Sequence, residues 1–383
     1  MKIFRKTLCI LSVVAAALCS CERSADTIPV SGEQGGDASG RTARMTFGLS
    51  AADMRTSALG AAEGRSTVDE DALKNLWVLQ FDGATDASKL LFCEYYDASM
   101  IGVNDTTDDD SKKSYSLSVA LYETSGDTKI YFVANVGPNR FQKFSAGDSS
   151  VDSDVTLKSF EASTLAFASE AAVSADGVLP MIGSYEGSSV IASGTVQMKR
   201  LVAKIDFTFD IQITAAGEKF TPSRVSLRSA ASCTRFLEHT LPTGTTGLYP
   251  DAASSDNFIN YPAVSVSGPV SKETPFTYTW YVPENLRGVV SEEIIKGPSD
   301  KGPENAPAGS TFIEIGGDYQ RGSALTDVTY TIYLGENAST DFNVVRNYHY
   351  TVSSTIKGLN SRDLRVVVDR GVDAGQYVDG IWE

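Results

Sequence analysis

The stretch RLVAKIDFTFDIQI, residues 200–213, alternates apolar and polar side chains over most of its length. Ala203, Ile205, Phe207, Phe209, Ile211 and Ile213 take one phase, and Lys204, Asp206, Thr208, Asp210 and Gln212 the other. Successive side chains of a strand point to opposite faces, so this pattern describes a strand with one dry and one wet face, as in an antiparallel sheet. Working outward, further strands are expected at Met45 to Ser50, Leu76 to Phe81, Tyr115 to Tyr122, Ile130 to Val136, Phe276 to Val282, Val328 to Leu334, Tyr348 to Ile356 and Leu364 to Val368. Gly, Pro, Asn and Asp cluster between them, which favours turns. Two short helices are expected as connectors. One spans Thr67 to Leu76, where Thr67 and Glu70 stand at capping-box spacing, and the other lies within residues 156–168. Many short strands without regular helices between them predict an all-β protein built of antiparallel β-sandwiches.

At 383 residues the chain is long enough for two separate cores. The small-residue stretch EGSSVIASG, residues 186–194, reads as the boundary, giving β-sandwich domains at 45–190 and 191–370 and a C-terminal tail at 371–383. The segment KGPSDKGPENAPAG, residues 296–309, reads as a long loop, exposed or disordered.

The N-terminus reads as an export signal. Lys2, Arg5 and Lys6 precede the apolar run Leu8 to Leu18, which is too short to span a bilayer of roughly 20 helical residues. The next residues, Leu18-Cys19-Ser20-Cys21, resemble a bacterial lipobox. Residues 1–20 are then a lipoprotein signal peptide, Cys19 is discarded with it, and Cys21 is acylated as the first mature residue. Multiple acyl chains anchor stably where a single chain holds only marginally. A metal or redox role for the two cysteines needs further ligands at close spacing, and Cys93, Cys233, His239 and His349 are scattered. Residues 21–44, rich in Gly, Ser and acidic side chains, read as a flexible tether. Removing residues 1–20 removes three positive charges, moving the net charge from −15 to −18. Such a chain is repelled by nucleic acid and by anionic headgroups. Whether Cys93 and Cys233 pair is left open by their spacing.

Six segments in order carry a family resemblance: VDEDALKNLWVLQFD (68–82), YFVANVG (131–137), LPMIGS (179–184), KRLVAKIDFTF (199–209), YVPENLRG (281–288) and VVRNYHYTVSSTIKG (344–358). The chain resembles the fimbrillin-like proteins of Bacteroidales type V pili, in the branch that carries the YVPENLRG segment. The resemblance implies two transthyretin-like β-sandwich domains, export as an outer-membrane lipoprotein, and a pilus subunit at the cell surface that serves adhesion to host or bacterial receptors. It also implies assembly by donor-strand exchange. An arginine-specific protease removes the N-terminal segment with the first strand, and a strand of a neighbouring subunit fills the groove. Arg55 and Arg65, in the segment ADMRTSALGAAEGRST between the first two strands, are the expected cut sites. Val372, Ala374 and Gln376 begin a strand-like alternation in the C-terminal tail and then break it, which favours a tip or accessory subunit over a shaft subunit.

Other chemistry is poorly supported. With two histidines and no H-E-x-x-H, G-x-S-x-G or Walker pattern, no catalytic, metal or cofactor site is expected. The acidic run at 104–113 lacks the glycine and closing glutamate of an EF-hand loop. Glu284, Asn285 and Arg287 are expected to fix a turn through contacts to backbone. The alternative function is an outer-membrane lipoprotein that binds glycans for polysaccharide uptake, which requires coplanar exposed Trp or Tyr side chains, with Trp77, Trp280 and Trp382 as the best candidates.

Overall fold

A computed structural model describes residues 42–52, 68–104, 113–144, 151–152, 154–191, 193–369 and 377–380, with side chains through residue 360. Cys21, residues 21–41 of the expected tether, Arg55, Arg65, residues 105–112 of the acidic run and Trp382 lie outside the described residues, whereas residues 42–44 of that tether belong to the first strand, which begins three residues earlier than expected. The protein is all-β with a few short helices. In the first half the strands are β1 (Thr42–Ala51), β2 (Asn75–Phe81), β3 (Leu90–Asp97), β4 (Gly102–Asn104), β5 (Ser114–Tyr122), β6 (Asp127–Ala134), β7 (Thr164–Ala166), β8 (Met181–Ser188) and β9 (Ser193–Arg200). In the second half they are β10 (Val202–Ile211), β11 (Glu218–Arg228), β12 (Ala230–Ala231), β13 (Cys233–Arg235), β14 (Phe258–Ile259), β15 (Val264–Ser265), β16 (Phe276–Pro283), β17 (Phe312–Arg321), β18 (Ala324–Tyr333), β19 (His349–Gly358), β20 (Ser361–Asp369) and β21 (Tyr377–Gly380).

The first eight-stranded sheet runs β3-β2-β6-β8-β9-β1-β5-β4. Strand β9 pairs with β1 over most of its length and with β8 only at Lys199 and Arg200. The sheet therefore folds over itself, and Phe47, Leu117 and Val196 of one half meet Val78, Phe132 and Met181 of the other in one core. Strands β2 and β6 are buried on both faces, as expected of central strands read as continuous apolar runs. Their second face, with Trp77, Phe81 and Tyr131, packs under helix α1 (Leu157–Glu161) in an aromatic cluster centred on Phe160. Thr156 and Ser159 cap α1 reciprocally. A second short helix, α2 (Glu170–Val173), packs near β16.

The second half places the sheet β16-β10-β19-β20-β21 over β15-β11-β17-β18. The phase read from residues 200–213 holds: Ala203, Ile205, Phe207 and Phe209 are buried, and the alternate residues are half-exposed. The core joins them to Val225, Leu227, Ile313, Ile315, Trp280 and Val352. Pro222 sits at a β-bulge in β11 opposite Gly317. A Cβ on Gly317 would stand 2.2 Å from the Thr221 carbonyl, so only glycine allows this approach.

The alternating run is cut at Leu201, where the chain leaves one sheet for another. Glu186–Gly194 holds the turn between β8 and β9, neighbours in one sheet. We propose a two-domain division with its change of sheet at Leu201. The expected helix at Thr67–Leu76 is absent from its described residues, 68–76. Asp69 forms a parallel bridge with Val178, and strand β2 begins at Asn75. Tertiary partners of Asp69, Glu70 and Asp71 hold this segment as a bridge and a turn against its local helical pattern. The loop at 296–309 is packed, with Ile295 and Lys301 buried.

Phe160 is fully buried, 4.8 Å from Tyr131 and stacked 5.7 Å from Phe236. Phe160→Ala is expected to cost about 3–5 kcal/mol, read as a lowered urea midpoint with an unchanged slope.

Candidate functional site

Strand β1 is the most strongly flanked strand of the first sheet. It pairs antiparallel with β5 from Thr42↔Tyr122 to Ser50↔Ser114, and parallel with β9 from Thr46↔Ser193 to Ala51↔Met198. Met45, Phe47 and Leu49 point inward and are buried, each contributing about 1.5–3 kcal/mol. The Phe47 ring lies 4.8 Å from Phe132 and edge-on to Tyr185 at 5.6 Å. Without β1, two rows of backbone groups and three apolar pockets would face water, the arrangement that an added strand satisfies.

Arg55 and Arg65 lie outside the described residues, but the two ends of the segment carrying them meet at one side chain. Arg200, at the end of β9, is buried. Its Nη1 donates to the Ala52 carbonyl at 2.7 Å, just past β1. Its Nε donates to the Glu70 carbonyl at 3.0 Å, and its Nη2 pairs with the Asp71 carboxylate. Asn347, just before β19, completes the set by accepting from the Arg200 backbone N–H at 3.1 Å and from Nη1 at 3.3 Å. Neighbouring bonds reinforce the same segment. Lys113 pairs with Asp69, and Glu70 takes Lys204 at 2.8 Å and the Tyr281 hydroxyl at 2.7 Å. Burial pushes the Asp206 carboxyl up, but bonds from His349 at 2.7 Å and Thr279 at 2.5 Å, with the Lys204 charge, bring it below its usual value. Sequence reasoning missed Arg200. Its only signals are a basic residue at the end of an alternating strand and the acidic triplet Asp69–Asp71.

The YVPENLRG segment is buried, as the structural reading expects. Asn285 Nδ2 donates to the Gly309 carbonyl and to Thr311 Oγ1, both at 2.8 Å, and Arg287 donates to the carbonyls of Ala308 and Pro250. Glu284 accepts from Arg346 at 2.8 Å and pairs with His239 at 3.1 Å. Burial alone pushes the Glu284 carboxyl up, but the His239 bond and the Arg346 guanidinium more than reverse this and hold it below the usual range. These groups are engaged with one another and with backbone, an arrangement that maintains shape. Trp77 and Trp280 are both buried, so neither offers a platform for a sugar ring. Cys93 on β3 and Cys233 on β13 are not joined in a disulfide.

Lys301 is the least expected buried charge. Its Nζ donates to the Asn337 carbonyl at 2.7 Å and lies 4.9 Å from the centre of the Phe342 ring. Desolvation lowers its pKa to about 7, against the opposing pull of Asp341.

A family model described as "Domain of unknown function (DUF4906)" matches residues 280–354. No curated protein matches the chain in sequence. Among solved structures, the tip fimbrial protein Mfa3 of Porphyromonas gingivalis, determined with a C-terminal truncation, is 15% identical with a TM-score of 0.50. The match covers 86% of this chain and 99% of that one. Two proteins each described as a "putative cell adhesion protein" are similar in the same way. The one from Parabacteroides distasonis is 14% identical, with a TM-score of 0.53 and coverage of 87% and 98%. The one from Bacteroides eggerthii is 18% identical, with a TM-score of 0.50 and coverage of 85% and 90%. At these identities the likeness is one of fold.

Three outcomes are expected. Arg200→Ala orphans the acceptors of three segments and should cost on the order of 3 kcal/mol, with faster hydrogen exchange at residues 45–49. The depressed Glu284 contributes stability that is present above its unfolded pKa of about 4.5 and lost as pH falls through its lower folded value. Glu284→Gln should therefore flatten the acid limb of stability against pH. For Lys301 the sign is opposite. Between about 7 and 10.5 the unfolded chain holds a proton that the folded chain has shed, so stability rises with pH across that window. Lys301→Met should remove the rise, as read by urea midpoints at pH 6, 8 and 10.

Proposed function

We propose that this protein is a cell-surface fimbrial subunit, a tip or accessory member, that joins its neighbours by strand exchange at the β1 groove and serves adhesion. The observation that carries the reading is the position of β1: a central strand, flanked on both sides, whose chain connection to the rest of the fold is the segment bearing Arg55 and Arg65. The shared fold with a tip fimbrial protein supports the same reading. The role is structural and calls on no catalytic group.

In this scheme Cys21 is the lipid anchor at the outer membrane, and it shares a fragment with β1. A cut after Arg55 or Arg65 separates that fragment from the body covalently. The body keeps Glu70 and Asp71 fastened to Lys204 and Arg200, while β1 is held by its ladders, its pockets, the Thr46–Ser118 hydroxyl bond and the Ala52 backbone bonds to Arg200 and Met198. An extended segment of another subunit can then replace it, because the groove presents unpaired backbone and apolar recesses at two-residue spacing. Burial of Trp77 and Trp280 removes two of the three candidate platforms for the glycan-binding alternative, and no observation favours it.

N-terminal sequencing of the protein taken from its native cell surface should find a start just after Arg55 or Arg65. A blocked, acylated Cys21 on all molecules would make it an uncut anchor or a standalone lipoprotein. Limited cleavage of the purified precursor by a trypsin-like protease should yield SDS-resistant assemblies with other subunits, and the double variant Arg55→Ala, Arg65→Ala should yield none. Strictly monomeric cleaved protein in the presence of those subunits would overturn the role.

A further inference from the structure

We infer that the β1 groove selects an incoming strand with an aromatic residue at its centre and aliphatic residues two positions to either side, a pattern that residues 361–383 of a second copy do not offer. The inference rests on the strand-exchange reading above and names the partner that groove takes.

The three pockets differ in shape. Met45 and Leu49 each face an ordinary side chain of β5, Val119 and Tyr115 respectively, and Leu49 also faces Val196 of β9. The central position is different. Phe47 faces Leu117 on β5 and Gly194 on β9, and Gly194 leaves a recess that the ring fills. A Cβ added at Gly194 would stand 3.1 Å from the Phe47 ring, closer than nearly all real contacts of that kind. The floor and side of the recess are the rings of Phe132 and Tyr185, 4.8 and 5.6 Å from that of Phe47. An aromatic centre meets these rings edge-on or tilted, in their favoured geometry. An aliphatic centre leaves a void over Gly194 that the packed sheets cannot close, and an unfilled void weakens binding in proportion to its volume.

Residues 361–383 of this chain, SRDLRVVVDRGVDAGQYVDGIWE, do not carry the required triplet. Tyr377 has Gly375 and Asp379 two positions away, and Trp382 has Gly380. The alternating run Leu364, Val366, Val368 is aliphatic at its centre, and its backbone is already paired with β19 as part of β20. Residues 361–383 of a second copy therefore offer no matching strand, and the groove takes a segment of another subunit that reads aliphatic, any, aromatic, any, aliphatic.

The test uses the full mature chain with a site-specific protease sequence inserted within residues 53–67. After cutting, fluorescent peptides are offered, and their entry into the groove is followed by anisotropy. The peptides are residues 42–51 as they stand, the same peptide with Phe47→Tyr, with Phe47→Val, and residues 361–383. The Phe and Tyr peptides should enter with similar affinity, the Val peptide roughly tenfold more weakly, and the 361–383 peptide not measurably at the same concentrations. Equal binding of the Val-centred or the 361–383 peptide would overturn the inference while leaving strand exchange intact. Failure of every peptide, including residues 42–51, would sink strand exchange and the inference with it. Gly194→Ala in the body should reverse the order, favouring the Val-centred over the Phe-centred peptide, and an unchanged order would remove Gly194 from the selecting role. The peptide series needs no altered body, so misfolding of that variant leaves the test decisive.

Discussion

A guanidinium buried between two β-sheets must find acceptors for its donors or destabilise the fold, and Arg200 finds them on three separate pieces of chain. It closes the end of β1, fixes the return of the chain at Glu70 and Asp71, and reaches Asn347 at the entry to β19. The next residue, Leu201, is where the chain leaves the first sheet for β10, and its N–H bonds to the Pro180 carbonyl. The path of the chain from one sheet system to the other, the non-helical course of residues 68–74 and the closure of the groove all depend on these bonds.

The two halves repeat one device. In the first, β1 lies between an antiparallel neighbour, β5, and a parallel one, β9. In the second, β10 lies between antiparallel β16 and parallel β19. Each half thus opens with a strand inserted into the middle of its sheet. The difference is in how each strand is fastened. Strand β10 continues from β9 through one residue, whereas β1 is joined to β2 by a long segment tied at both ends to Arg200. Under the proposed cleavage, the same insertion would be permanent in one half and conditional in the other.

Strands with a clean two-residue period, β1, β5, β10 and β19, were legible from sequence because each has one wet face. Others were not, for physical reasons. Strand β3 (LLFCEYYD) mixes the pattern, β8 (MIGSYEGS) and β17 (FIEIGGDYQR) are interrupted by glycines, and β11 carries Pro222 at a bulge. The expected helix at 67–76 shows the opposite failure. Its acidic first turn suits a helix N-terminus, but those carboxylates are claimed by Lys113, Lys204 and Arg200, partners far away in sequence. For the candidate site, the apolar triplet Met45, Phe47, Leu49 is readable in advance. The recess at Gly194 is not, because it exists only where two strands distant in sequence lie side by side.

The parallel pairing of β1 with β9 also sets how the molecule answers to mechanical load. A pull on the residues before Thr42 draws β1 toward its own N-terminal end, while the body resists through β9, which is continuous at its C-terminal end with Leu201 and β10. Parallel strands drawn from opposite ends slide past each other, so the ladder bonds are strained together rather than opened one by one. A strand in that groove grips hardest when pulled along its own axis from the Thr42 end. It peels most easily when lifted from the Ala52 end, where the fastening is the single bond to Arg200 and the backbone bond from Ala52 to Met198.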